Sequence, residues 1–299
     1  MADISVIILT FNEGKHITRC INSLKSFAKE IFIVDSFSTD STVEMALSEG
    51  AKVFQNKYTN QAIQFNWALK TCPISTEWVM RIDADEYILP ALSQEISEKL
   101  PYIDVSVSGI YIKRRVIFLN KWIKRGGNYP IWFLRIFRTS KGISEERWMD
   151  EHIKISDGKT IHFKNDFVDE NLNSLTWWIN RQNSYATREM IVQIIEYYKL
   201  DSNNTIEPKL LGKPDQRKRW FKNIYGKLPL FIRPFILFNY NYIIRGGFRD
   251  GYPGLIRHFL LSFWYRFLVD SKLYEIEKKC NNDIILIKQN IYNDHGYKI

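Results

Sequence analysis

The chain of 299 residues predicts an α/β fold: a largely parallel sheet, helices on both of its faces and a mainly helical C-terminal extension. Three observations lead there. Short β-rich runs alternate with longer helical patterns through roughly the first hundred residues. Acidic or amide-bearing turns follow the apolar runs, where parallel sheets place their ligands. Basic and aromatic residues gather near the C-terminus.

Ile4 to Leu9 reads as the first strand, and Glu13 or Gly14 opens a helix that runs through Phe27. Glu30 to Val34 is the next strand. Ser38, Thr39 and Asp40 offer caps to a helix ending near Gly50, and Lys52 to Phe54 is a short third strand. Asn60 to Lys70 is helical, Trp78 to Ile82 is a fourth strand, and Pro90 to Leu100 is another helix. Between Val105 and His162 strands mix with loops, Gly109 to Phe118 and Trp132 to Phe137 being the best strands. A helix is expected from Asn171 to Lys199, with Trp177, Trp178, Tyr185, Ile191 and Ile194 available for packing. The expected domains are 1–200, a linker at 201–215 holding two Pro and one Gly, and an extension at 216–299. Short helices there should break at Pro229, Pro234, Gly246, Gly247 and Pro253.

With 45% hydrophobic and 25% charged residues, the composition excludes a disordered or collagenous chain. Cys20, Cys72 and Cys280 are widely spaced and odd in number, so neither a disulfide framework nor a zinc cluster is expected, and a reducing compartment fits. Between Gln216 and Lys272 eleven Arg and Lys face two Asp, a surplus equal to the net charge of +9. The stretch Leu228 to Ile244 is apolar but carries Arg233, Asn239 and Asn241, which argues against a spanning helix. No secretory leader is evident, so the expected location is cytoplasmic, peripheral at the inner face of the cytoplasmic membrane.

The sharpest local feature is Arg81-Ile-Asp83-Ala-Asp85-Glu86 at the end of an apolar run. Two aspartates in such a turn can present oxygens to a hard divalent cation that bridges phosphates. The simpler alternative is a solvated cap. Thr10-Phe11-Asn12-Glu13 follows the first strand, and Asp35-Ser36 with Ser38, Thr39 and Asp40 follows the second. Each alone reads as a helix cap, but three at successive strand ends point to a shared nucleotide cleft. Neither GxGxxG after the first strand nor GxxxxGK[ST] or GxSxG anywhere occurs, which argues against a dinucleotide-binding domain, a P-loop ATPase and an α/β-hydrolase.

Farther along, Glu145-Glu-Arg-Trp148-Met-Asp150-Glu151-His152 holds carboxylates suited to a general base. His152 suits a metal or a phosphate there. An exposed acidic loop is the alternative. Arg135 and Arg138 lie three apart and face opposite sides of a regular strand, sharing a face only if a bulge shifts the register, so only one of them, Arg135, is expected to reach a phosphate.

Together these pieces resemble the inverting glycosyltransferase family 2 with its GT-A domain, through Thr10 to Glu13, Val34 to Asp40 and Asp83 to Asp85. Within it, NQAIQFNWAL, EWVMRIDADEYI, YIKRRVIFL, ERWMDEHI and HFLLSFWYRFLVD are similar to bacterial lipopolysaccharide-core glycosyltransferases of the heptose β-1,4-glucosyltransferase-like kind. The resemblance implies a UDP-sugar donor whose uracil and ribose lie against Thr10, Phe11, Asn12, Glu13 and Asp35, with Gln61 and Asn66 near the nucleotide or its phosphates. It implies Mg²⁺ or Mn²⁺ on Asp85, with Asp83 reaching the ribose or a metal-bound water, and Arg81 ordering the turn. The base is Glu151 by the register of the acidic pair and Asp150 by residue type. Trp132, Trp148 or Tyr129 can supply a platform for a sugar ring, or belong to the core.

The C-terminal segment interleaves Trp220, Phe221, Phe231, Phe235, Phe259, Trp264 and Phe267 with Arg219, Lys222, Arg233, Arg257 and Arg266. Contact with an anionic membrane carrying a lipid-linked glycan acceptor, internal packing and homo-oligomerisation are the three readings. A nucleic-acid partner is not expected, since the acidic strand ends would meet repelling phosphates. A nucleotidyltransferase is the enzymatic alternative, and the product tells the two apart: UDP for sugar transfer, pyrophosphate for nucleotidyl transfer.

Overall fold

The computed structural model describes residues 1–145, 152–198, 200 and 224–296. The chain forms two compact units, 1–173 and 174–299. The helix expected after Asn171 thus groups with the second unit, whereas the sequence placed it in the first.

In the first unit β1 (Ile4–Thr10) is central, flanked in parallel by β2 (Glu30–Asp35) and β4 (Trp78–Asp83), with β3 (Lys52–Gln55) outside β2. Apolar side chains occur on both faces of β1 because both are covered. Ile4, Val6 and Ile8 pack with Ile17, Ile21 and Leu24 of α1 (Ile17–Leu24), and Ile7 packs with Phe65 of α3 (Gln61–Thr71). Between them α2 (Thr42–Ser48) follows the second turn. Asn60 caps α3 by accepting from Ile63 N, and Pro90 opens α4 (Pro90–Lys99), where a missing N–H costs nothing.

Beyond β4 the sheet becomes mixed. The order β3-β2-β1-β4-β8-β6-β11-β5 adds β8 (Ile131–Arg138), β6 (Val107–Phe118), β11 (Lys159–Asp169) and β5 (Glu86–Ile88), with β7 (Lys121–Trp122) paired to β6. Pairing is antiparallel at β4/β8, β8/β6, β6/β7 and β11/β5, and parallel at β6/β11. A separate hairpin, β9 (Gly142–Ser144) with β10 (Ile153–Ile155), lies over Phe137. Gly142 is required there, since a Cβ would enter the Phe137 ring.

The second unit opens with α5 (Leu175–Tyr197), capped by Ser174, whose Ala186, Met190, Ile191 and Ile194 pack on α8 (Tyr265–Lys279) and α9 (Ile284–His295). Between them are α6 (Ile232–Asn239), which continues as a π-turn through Ile244, and α7 (Gly251–His258), joined to α8 by a second π-turn. The chain does break near Pro229 and at Gly246 and Gly247. Pro234 and Pro253 do not break it: both sit in first turns, where no intrahelical donor is lost. Arg233 is buried with Asp270, Nε to Oδ1 at 2.9 Å, and Arg266 pairs with Glu189. Of these two arginines, expected on a membrane-facing surface, Arg233 is an internal counter-ion and Arg266 is a partly exposed one. The expected linker, with Arg219, Trp220, Phe221 and Lys222, lies outside the described residues.

Candidate active site

Parallel pairing aligns three strand ends. Thr10 is opposite Asp35 across β1 and β2, and Leu9 is opposite Asp83 across β1 and β4. Chain order places β2 and β4 on opposite sides of β1, so the sheet reverses its direction of growth and leaves a crevice at these ends.

The first two turns are stitched together. Thr10 Oγ1 donates to Asp35 Oδ1 at 3.0 Å, and Ser38 N donates to Asp35 Oδ2 at 2.8 Å. Asn12 N donates to Ser38 Oγ and Asn12 Oδ1 accepts from Thr39 N, both at 2.8 Å. Asn12 adopts φ 56°, a left-handed conformation that asparagine tolerates, and does not cap α1 as one sequence reading had it. Asp40 accepts from Gly14 N and Thr42 N. Burial pushes the Asp40 carboxyl up, but the bonds from Thr42 and Gly14 outweigh it and hold the group below the usual carboxylate range. Thr10 and Asp35 are buried, whereas Phe11, next to Thr10 in the chain, is exposed.

At the third strand end, Asp83 N donates to Glu86 Oε2 at 2.8 Å. Arg135 Nη2 lies 2.5 Å from Glu86 Oε1 and 3.6 Å from Asp83 Oδ2, while Arg81 Nε is 3.6 Å from Asp83 Oδ1. Gln61 Nε2, at the start of α3, is 3.5 Å from the same Asp83 oxygen. Burial raises both carboxyls. For Asp83 the Arg135 and Arg81 guanidiniums win and draw it down; for Glu86 burial, with Asp83 and Asp169 nearby, prevails over Arg135 and pushes it up. Arg135, expected at a phosphate, is placed here as a buried counter-ion of Glu86 and Asp83. A buried Glu86 without it would be an uncompensated charge.

Asp85 is half-buried, and its Oδ2 accepts from Asn171 Nδ2 at 3.0 Å. Arg19 reinforces this turn, donating to the Asp85 carbonyl at 3.2 Å and to Glu170 Oε2 at 2.6 Å. Leu172 N donates to His16 Nε2 at 2.8 Å, so the ring proton resides on Nδ1, 2.6 Å from Glu13 Oε2. Residues 170–172 thus form a strap from the Asp85 turn to Glu13.

Asn66, expected near the nucleotide, is instead buried with both amide atoms bonded to Ser144, 2.9 Å to its N and 2.9 Å to its O. A buried amide far from solvent needs such partners, and the backbone of β9 provides them. Just beyond, Glu145 N donates to His152 O at 2.9 Å. Asp150 and Glu151 lie between these two residues and outside the described ones, as does Trp148. His152 is exposed, and among the described residues no three His, Cys, Asp or Glu side chains converge on a metal position. Asp83, Asp85 and His152 are not brought together as a ligand set.

The supporting groups Arg19, His16, Glu170 and Asn171 were not singled out from the sequence as site residues. Glu86 was read as part of the acidic turn, without its buried pairing to Arg135.

The glycosyl transferase family 2 model matches residues 5–165. An uncharacterised glycosyltransferase of Rickettsia bellii is 30% identical over 288 residues, covering 93% of this chain and 88% of that protein. The lipopolysaccharide core biosynthesis glycosyltransferase LpsC of Rhizobium meliloti is 27% identical over 285 residues, covering 91% and 92%. Mycobacterium tuberculosis glucosyl-3-phosphoglycerate synthase, solved with Mn²⁺, UDP and glucosyl-3-phosphoglycerate, overlaps 38% of this chain and 44% of its own at 22% identity and a TM-score of 0.33, too little to bear on this chain. With the family model spanning more than half of its length, and a relative matched nearly end to end, this chain belongs to glycosyl transferase family 2.

Proposed function

We propose that the protein transfers a hexose from a UDP-sugar to a hydroxyl of a lipid-linked, lipopolysaccharide or capsular glycan, in one displacement that inverts the anomeric carbon. The observation that supports this best is the register that sets Thr10, Asp35 and Asp83 side by side at the switch point. In this reading Thr10, Phe11, Asn12, Glu13 and Asp35 form the uridine side, and Asp83 and Gln61 face the ribose and phosphates. Glu151 takes the proton from the attacking hydroxyl, with Asp150 as the alternative base. The hydroxyl oxygen bonds to the anomeric carbon as the bond to UDP breaks, so no covalent sugar intermediate arises.

The residues present suit a hard divalent cation. Asp85 is a half-buried carboxylate whose Oδ2 alone is engaged by Asn171, and oxygen donors are what Mg²⁺ and Mn²⁺ require. Asp85 would hold the ion, whereas Asp83, already compensated by Arg81 and Arg135, suits the ribose or a metal-bound water. Such an ion, when bound, neutralises charge on the departing UDP.

UDP release from a panel of UDP-sugars, with and without Mn²⁺ and with membrane lipid extract as acceptor, tests the reading. Metal-dependent release from one donor, increased by the extract, is expected. Pyrophosphate in place of UDP would transfer the reading to a nucleotidyltransferase, and no release from any donor would overturn it.

The second unit is proposed to rest on an anionic bilayer. No helix among the described residues is long and apolar enough to cross a membrane. Yet Ile243, Ile244, Phe248 and Tyr252, around the α6–α7 connection, are 55%, 75%, 52% and 82% exposed, beside exposed Arg245 and Arg249. Apolar rings flanked by guanidiniums match a lipid interface with negative headgroups. Co-sedimentation should be strong with phosphatidylglycerol vesicles, weak with phosphatidylcholine and lost in Ile244→Asp. An oligomer that binds neither vesicle would assign the face to self-association.

A further inference from the structure

A cavity of about 280 Å³ lies against the later strands of the sheet. Its walls come from β6, β7, the start of α4 and a bulge in β11, where His162 pairs with Tyr111 and the next pair is Asp166 with Lys113. The bulge is fixed from behind by Glu95 of α4, which accepts from Lys164 N and Asn165 N, both at 2.9 Å. The volume is just below the roughly 300–1,000 Å³ range of small-ligand sites.

Cations outnumber anions in this lining. Lys113, Arg115 and Lys164 meet a single acid, Asp166, which is 6% exposed. Lys113 Nζ is 3.3 Å from Asp166 Oδ1, Arg115 Nη2 is 3.0 Å from Oδ2, and the Tyr129 hydroxyl donates to Oδ1 at 3.1 Å. Desolvation alone would lower the Lys113 pKa, but Tyr129 and Asp166 outweigh it and keep the amine charged. One carboxylate satisfies one cation, so positive charge remains in the walls. The aromatic surface is Trp122 with Tyr129 edge-on at 5.2 Å, and Arg115 lies 3.8 Å over the Trp122 ring. Trp122 Nε1 is enclosed and has no hydrogen-bond acceptor among the described residues. Buried donors are normally paired, so this one points to an acceptor brought by a ligand.

We propose that this pocket binds an anionic sugar residue of the acceptor, its phosphate or carboxylate on Lys113 and Arg115 and its ring against Trp122 and Tyr129. Aromatic faces and guanidinium or ammonium donors are the two elements that recognise a charged sugar. In the plane of the sheet only β11 separates β6 from β5, which begins one residue after Asp85, a spacing of about 10 Å, and Lys113 and Arg115 lie on the face opposite Arg114 and its partner Asp169. The assignment rests on the glycosyltransferase reading for the word acceptor, while the binding itself does not.

Titration calorimetry of the full chain, with UDP and Mn²⁺ present at saturation, separates the two. Glucose 6-phosphate and glucuronate are the probes, with glucose and inorganic phosphate as references. At least one charged sugar should bind 10-fold or more tighter than glucose, and which one identifies phosphate or carboxylate as the anion. Lys113→Met should weaken that binding at least 10-fold. Trp122→Phe, which keeps a ring and removes the N–H, should weaken it several-fold. UDP affinity should be unchanged in both. Equal binding of glucose and the charged sugars, inorganic phosphate binding as tightly as the sugar phosphate, or full affinity in a folded Trp122→Phe protein would overturn the site. Absence of UDP release from every donor would overturn the catalytic reading and leave these titrations as they stand.

Discussion

Arg135 illustrates how one side chain can hold an acidic turn together. It lies between Glu86 and Asp83, and its removal leaves two carboxylates in one low-dielectric corner. Arg135→Met should destabilise the fold by ~3–5 kcal/mol, the usual cost of stranding a buried charge, measured as a lowered urea midpoint. Asp85 behaves oppositely, being half-buried and engaged by one asparagine. Asp85→Asn should leave the urea midpoint in place while UDP release falls about 10²–10³-fold, on the scale of losing one electrostatic contact to a transition state. Glu151→Gln should retain UDP binding and lose transfer; if Asp150→Asn does so instead, residue type and not register identifies the base. Asp83, Asp85 and Glu13 were legible as individual residues because each follows an apolar run. His16 and Arg19 were not, because their partners, Leu172 and Glu170, lie more than 150 residues away in the chain.

Among elements, β1, β2, β4 and the helices between them were readable from periodicity alone, since each buries apolar residues at a regular spacing. β11 was hidden. Its polar Lys164, Asn165 and Asp166 fall in a bulge, which breaks the two-residue alternation on which strand recognition depends. The α4–β11 contact that supports this bulge gives a pH-dependent expectation. Burial raises the Glu95 carboxyl, but bonds from Lys164 N, Lys99 and Asn165 outweigh it and set its folded pKa below the ordinary value. Its stabilising contribution is then complete above the unfolded-state pKa of about 4.3 and is lost as pH falls through the depressed folded value. Urea midpoints of the wild type and Glu95→Gln should differ by a constant amount from neutral pH down to about 5 and converge in stronger acid.

Across the whole molecule, the charge surplus in the C-terminal segment was visible in the sequence, but not its division of labour. Arg233 and Arg266 are committed to Asp270 and Glu189, whereas Arg245 and Arg249 are exposed beside the apolar face. Sequence spacing cannot separate these groups, because the acids that claim the first two lie on other helices.

The helix α3 has a mechanical role in the first unit. Gln61 at its start faces Asp83, and Asn66, five residues on and about 7.5 Å farther along the axis, grips Ser144 of β9. One rigid rod therefore spans the acidic turn and the hairpin whose ends bracket Asp150 and Glu151. Any tilt of that rod moves both ends by linked amounts, like a beam on a single pivot. Spacing between the acidic turn and the β9 end of the hairpin is then set by a helix length, which thermal motion alters far less than it alters a loop.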